Sequence, residues 1–283
     1  MSTTTTTTTM ELPTVTIEPT APHTHTVVFL HGRGGTARDM ARTISAHTPD
    51  SHGHPGLPSA LPSFRWVFPQ APLRPLASSP GEVWHQWFDV WDVRDFASRE
   101  EVQAPGLRES VAAVRALLAR EAERLGGRWD GLVLAGISMG GATGVHTLFN
   151  LDVPAEGGGR LGAFLGFACR CPFAGRDLAG MRATLDIHDG VPAHAGVLER
   201  TPVLLEHCAD DPLVPVQSGR ALRDTLRAFG VQQVEWREYP RGGHWFNSPA
   251  GMDDVLAFLT ARVLDADKGG GAAAMQDHRM DLS

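Results

Sequence analysis

A serine hydroxyl is a poor nucleophile at neutral pH, and this 283-residue chain sets Ser138 where that can be remedied. Gly136-Ile137-Ser138-Met139-Gly140 fits G-x-S-x-G. It follows the apolar run Leu132, Val133, Leu134, Ala135 and precedes Ala142, Val145, Leu148 and Phe149 at helical spacing. A strand-to-helix turn tight enough to expose Ser138 Oγ strains the backbone at the serine. The residues two positions either side must be small, because strand and helix pass close there. The helix then opens with its N–H groups aimed at the place where negative charge develops in acyl transfer. Taken alone, the pentapeptide is a weak signal, since glycine and serine are common in loops.

Such a serine needs a histidine base, and the base needs an orienting carboxylate. On a strand-to-helix elbow the chain order is serine, acid, histidine. Of thirteen histidines, those beyond the strand-like Pro202–Glu206 are His207, His244 and His278. His278 falls in a tail rich in Gly, Ala and charge. His207 directly follows the strand and leaves no room for an intervening acid. His244 remains, in the Gly-rich loop Tyr239-Pro-Arg-Gly-Gly-His244 after the last strand, where a site in an open α/β sheet belongs. The acid should follow the preceding strand, where Asp210 and Asp211 stand together. Asp211 precedes Pro212 and is biased to an extended conformation, so it is the better placed; spacing leaves Asp210 open. Two backbone N–H groups must meet the tetrahedral oxygen. Met139, after the serine, and Arg33, in His31-Gly-Arg-Gly-Gly35, hold those positions, with the Arg33 guanidinium expected in solvent. The pairs His23/His25 and His52/His54 lack a third ligand at useful spacing, so no metal is expected.

The elements that must hold these groups alternate. Val15–Ile17 reads as an edge strand and Thr26–Leu30 as a central one. A helix follows through Ala37, Met40, Ala41 and Ile44, and Phe64–Phe68 is the next strand. Residues 48–63 read as a long loop, and the stretch with Pro69, Pro72, Pro75 and Pro80 as irregular surface. Trp84, Trp87, Phe88 and Trp91 form an aromatic cluster that either packs a loop or lines a groove for an apolar group. An amphipathic helix spans 106–125, and a strand lies within Leu161–Ala168. Residues 170–200 show no clear period. A helix over Val216–Phe229, a strand over Val231–Tyr239 and a helix through Val255, Phe258, Leu259 and Val263 end the pattern. This is a single α/β domain over 14–266, with a mainly parallel central sheet and helices on both faces. The Thr-rich residues 1–13 are expected to be disordered and 267–283 flexible.

Composition narrows the partners. Lys+Arg 25 against Asp+Glu 32 gives −7, which argues against nucleic acid or an anionic membrane. No apolar run reaches the length of a membrane span, and the N-terminus lacks the marks of a signal peptide. Three cysteines make no disulfide framework. Oligomeric state is not legible. A cytoplasmic protein without metal or cofactor is expected.

Phe29-Leu-His-Gly-Arg-Gly-Gly35, Pro69-Gln-Ala-Pro-Leu-Arg-Pro75, Trp87-Phe-Asp89, Gly136-Ile-Ser-Met-Gly-Gly141, Asp211-Pro-Leu-Val-Pro215 and Gly243-His244 occur in one order. Together they resemble the phospholipase/carboxylesterase family of α/β-hydrolases, which includes lysophospholipases and acyl-protein thioesterases. The resemblance covers about residues 26–264. It implies Ser138 as nucleophile, Asp211 as acid, His244 as base, and Arg33 and Met139 as oxyanion donors. It also implies that segment 72–90 borders the acyl pocket, with Leu73, Trp84, Trp87, Phe88 and, just beyond, Trp91 as candidates.

Three departures bear on the substrate rather than on the hydrolytic core. Cys208 stands where family members usually carry Gly, and Met139 where acyl-protein thioesterases often carry Gln. Residues 48–63 and 170–200 look longer and less apolar, with Arg170 and Arg176 near the pocket edge. The expected activity is hydrolysis through an acyl-enzyme. The alternatives are a biosynthetic acyl-transferring or cyclising enzyme with the same triad, and a non-catalytic ligand-binding member.

Overall fold

Six consecutive buried residues make His25–Leu30 a strand that has to lie inside a sheet. In the computed structural model, which describes residues 10–187, 190 and 192–265, it is the third strand across a seven-stranded sheet. In chain order the elements begin β1 (Thr14–Ile17), β2 (His25–Leu30), α1 (Ala37–Ala46), α2 (Leu57–Ala60), β3 (Phe64–Pro69), β4 (Leu73–Leu76) and β5 (Ser79–His85). They continue α3 (Gln103–Arg124), β6 (Leu132–Ile137), α4 (Met139–Phe149), β7 (Ala163–Phe167), α5 (Leu178–Leu185) and α6 (Gly196–Arg200). The last four are β8 (Val203–Cys208), α7 (Val216–Ala228), β9 (Val234–Tyr239) and α8 (Ala250–Leu259). The sheet runs β1-β3-β2-β6-β7-β8-β9, with β1 antiparallel and every other pairing parallel.

Alternation along the strands divides the core between the two sheet faces. Val28 and Leu30 pack with Val111, Val114 and Leu118 of α3 and Val145 of α4. Val27 and Phe29 pack with Ile44 of α1 and Val255 and Phe258 of α8. The register sets Leu30 beside Gly136, Ile137 beside Phe167, and Cys208 beside Tyr239. The loops leaving β2, β6, β8 and β9 therefore open at one edge of the sheet.

Several expectations need correcting. The proline-bearing stretch from Pro69 is not irregular throughout: β4 and β5 pair there as a two-stranded ribbon, with a register shift at Pro75/Leu76. In a ribbon both strands are edges, so a missing N–H is tolerated. Met10–Pro13 are placed rather than disordered. Leu12 is buried, and the Pro13 carbonyl accepts a hydrogen bond from Gln70 N at 2.7 Å. Residues 48–63 contain α2, anchored by buried Leu57 and Leu61. Residues 170–200 contain α5 and α6, and His207 lies within β8. The expectations for residues 1–9 and 267–283, His278 included, fall outside the described residues. Among the described residues, no helix is long and apolar enough to cross a membrane.

Candidate active site

Between β6 and α4 the chain turns through Ser138 at φ 56 and ψ −122, a conformation that costs a non-glycine residue and persists only when its surroundings impose it. Here they do. Ser138 N donates to Phe167 O at 2.9 Å, and Ser138 O accepts from Ala142 N at 3.0 Å. A Cβ on Gly136 would come within 2.6 Å of the Gly140 backbone, and one on Gly140 would run into the carbonyl oxygens of Leu30 and His31. Packing thus explains why both positions flanking the serine are glycine.

Ser138 Oγ lies 2.8 Å from His244 Nε2, and His244 Nδ1 lies 2.7 Å from Asp211 Oδ2. The Asp211 carboxylate is sealed from solvent. Burial alone would raise its pKa. Hydrogen bonds from His207, His244 and the Val214 and Leu213 amides outweigh that and hold it well below the usual carboxylate range. An ionised Asp211 selects the tautomer in which His244 Nδ1–H donates, leaving Nε2 to accept the serine proton. The choice between the two aspartates is resolved by direction. Asp210 Oδ1 accepts from Gly243 N at 2.8 Å, bracing the loop that carries His244, while Asp211 faces the imidazole.

His207 was set aside as a base, and its place is behind the acid. Buried on β8, it lies 3.2 Å from Asp211 Oδ2, and its Nε2 is 2.8 Å from the Val214 carbonyl oxygen. The spacing of four from Asp211 was the signal available for it. Cys208 supports the same corner, with its Sγ beneath Gly242, which has no room for a Cβ.

The two amides expected to face a tetrahedral oxygen are free to do so. Met139 opens α4 and has no intrahelical acceptor, and the Arg33 amide makes no hydrogen bond among the described residues. The loop carrying Arg33 is built on His31, whose Nδ1 donates to Gly32 O at 2.7 Å while Nε2 accepts from Ala71 N at 3.1 Å. Burial pushes His31 down to about 4, consistent with that neutral tautomer. The Arg33 guanidinium is not in solvent as expected. Its Nε donates to Gln86 Oε1 at 3.0 Å and its carbon sits 5.2 Å from the Trp84 ring.

A cavity of about 420 Å³ opens at Ser138 and His244. Of the expected pocket residues, Trp84 and Phe88 line it. Trp87 does not: it is a buried prop whose Nε1 donates to His31 O at 2.8 Å. Trp91 carries the Arg99 guanidinium at 4.2 Å, outside the lining, and Leu73 is 62% exposed on β4, also outside it. The apolar wall instead continues through Val90, Val93 and Phe96, and through Leu213 and Trp245 beside the acid and base. Those residues were visible as extensions of the aromatic stretch and as neighbours of Asp211 and His244, but nothing in their spacing said which way they face. Arg170 is on the lining; Arg176 pairs with Glu100 at 3.6 Å away from it.

Cys169, Cys171 and Cys208 are free and buried. Burial pushes the first two up to about 12, so they are inert thiols at neutral pH. His54 Nδ1 meets Asp50 at 2.6 Å, and His25 stacks on Phe64. Among the described residues no group of three His, Cys, Asp or Glu side chains is set to hold a metal ion.

The model of one protein family, described as phospholipase/carboxylesterase, matches residues 12–263. The chain is 28% identical to acyl-protein thioesterase 1 of Gibberella zeae over 245 residues, covering 85% of this chain and 92% of that one. It is 29% identical to a probable inactive carboxylesterase of Oryza sativa subsp. japonica, over 79% of each. The crystal structure of Zea mays acyl-protein thioesterase 2 is similar with a TM-score of 0.66 at 27% identity, over 89% of this chain and 99% of that one.

Proposed function

The chain belongs to the phospholipase/carboxylesterase family of α/β-hydrolases and is a hydrolase of carboxylic esters or thioesters; on that premise we propose that Ser138, His244 and Asp211 are its catalytic residues, with the Arg33 and Met139 amides as oxyanion donors. One observation carries the reading: an uninterrupted hydrogen-bonded line from a strained serine through His244 to a sealed carboxylate, at the mouth of a largely apolar cavity.

Ser138 Oγ attacks the carbonyl carbon as His244 Nε2 takes its proton. The new imidazolium is balanced by Asp211, and the oxyanion is met by two preorganised N–H groups. Collapse breaks the bond to the alcohol or thiol, which leaves with the proton from His244. Water then enters, gives a proton to His244 and attacks the acyl-enzyme, and collapse returns a proton to Ser138. The balance closes on one water consumed and one acid released. Trp84, Phe88 and the Val90–Phe96 wall receive the apolar part of the substrate, which is a small ester or an acylated protein. Three unpaired thiols support a reducing compartment, the cytoplasm.

Labelling of Ser138 by a fluorophosphonate probe, with turnover of p-nitrophenyl esters and matched thioesters to free acid, is the expected result. Labelling without release of free acid points to acyl transfer. No labelling at all would put this chain with its relative named as inactive and sink the reading.

A further inference from the structure

Arg170 is out of place in an apolar cavity. It follows β7 and is 8% exposed, yet it belongs to the wall of the cavity that opens at Ser138. A guanidinium carries five N–H donors. Among the described residues it makes one hydrogen bond, from Nη2 to Gln103 Oε1 at 2.7 Å, and its carbon sits 4.0 Å from the Phe96 ring. Gln103 is itself buried and fixed through its Nε2, which donates to the Phe96 carbonyl at 2.9 Å. The cation is therefore held rigidly by neutral groups.

What it lacks is a counter-ion. No carboxylate among the described residues lies within ion-pair distance of Arg170. Glu100, whose charge acts on Arg170 through space, is engaged by Arg176 at 3.6 Å. Asp39, the acidic residue on the cavity lining, is exposed and paired with Arg42 at 3.3 Å. Burial lowers the Arg170 pKa to about 10, so the charge survives at neutral pH. A buried cation normally takes a partner, because removing it from water is costly. Arg170 lies on the cavity wall with one hydrogen bond and no ion-paired carboxylate.

We propose that Arg170 is a specificity residue that binds an anionic group, a carboxylate or phosphate, carried by the substrate, so that this hydrolase prefers esters or thioesters bearing a negative charge. The proposal rests on the hydrolase reading above for its substrate class, and the anion lies on either the acyl or the alcohol half.

Three esters separate the cases: p-nitrophenyl butyrate, mono-p-nitrophenyl glutarate with the charge on the acyl half, and 4-carboxyphenyl butyrate with it on the alcohol half. In R170L, kcat/KM for one of the charged esters should fall about 10- to 100-fold, mainly through KM, as expected for losing a charge-assisted hydrogen bond. The neutral ester should be turned over a few-fold faster, and R170K should recover part of the loss on the charged one. Equal losses on all three esters would mean that Arg170 only holds the wall together, and no loss on either charged ester overturns the proposal outright.

Calorimetry on the S138A protein gives a second reading that needs neither turnover nor an Arg170 variant. Either monomethyl glutarate, for an acyl-side charge, or 4-hydroxybenzoate, for an alcohol-side charge, should bind at least about tenfold more tightly than its neutral counterpart, dimethyl glutarate or phenol. Failure of wild type to cleave any of the three esters would count against the hydrolase reading alone. Equal binding of both acids and their neutral counterparts would count against the anion site alone.

Discussion

Ser138 follows a six-residue strand in which every residue is buried, whereas Trp84, in the same cavity, sits on a seven-residue strand that is exposed or half-buried throughout and is itself 43% exposed. The difference follows from what each must do. The serine, histidine and carboxylate have to meet within tenths of an ångström, because proton transfer falls off steeply with misplacement. They are accordingly rooted just past the ends of parallel strands β6, β8 and β9 and braced by further bonds: Phe167 O behind Ser138, Asp210 under the His244 loop, His207 behind Asp211. The proposed substrate walls have only to offer apolar area, so they hang on the β4–β5 ribbon and the Val90–Phe96 segment, tethered to the sheet through contacts such as Trp87 to His31 and Gly34 N to His85 O.

That contrast can be broken by substitution, beginning where the effect is greatest. S138A should lower kcat by about 10⁶-fold, leaving the residual rate owed to binding and the oxyanion donors. A purified S138A that keeps even a tenth of wild-type turnover would separate the elbow from the chemistry. D211N should cost about 10⁴-fold by presenting the wrong tautomer of His244, while D210N, an exposed loop brace, should stay within a few-fold. Equal losses in the two variants would erase the distinction drawn between neighbouring aspartates. W84A probes the other region. KM should rise a few-fold with kcat nearly unchanged, the mark of lost uniform binding. A collapse of kcat in W84A would show the ribbon to be part of the catalytic frame after all.

The smallest effect concerns stability. Glu206, near the end of β8, is buried, and burial, with Asp254 adding to it, pushes its pKa well above the usual range. A raised folded-state pKa contributes stability that is complete below the unfolded value, near pH 4, and is lost as pH rises toward the folded one. E206Q removes that dependence. Its Tm relative to wild type should climb by a few degrees from pH 4 to pH 8, at ~2–4 °C per kcal/mol for a domain of this size. A difference that stays flat with pH would show that Glu206 does not titrate in this range. Asp211 behaves oppositely: its stabilisation is present at neutral pH and goes as pH falls below the normal carboxylate range.

Strand-forming runs bounded by Gly-rich loops, and the order of serine, acid and histidine along the chain, were enough to read the α/β sheet and to single out Ser138, His244 and the pair Asp210 and Asp211 from the sequence. These depend on local backbone chemistry: a glycine that leaves room for a helix, a proline that extends its neighbour, a strand whose end is also the end of its hydrophobic run. Which of two adjacent aspartates faces the imidazole, that His207 stands behind it, and that Trp87 props a loop while Phe96 lines a cavity were decided only by tertiary structure. So was the setting of Arg170 on the cavity wall without an ion-paired carboxylate. Direction and partner are properties of segments far apart in the chain, brought together by the register of the sheet, and no residue's own neighbours in sequence carry them.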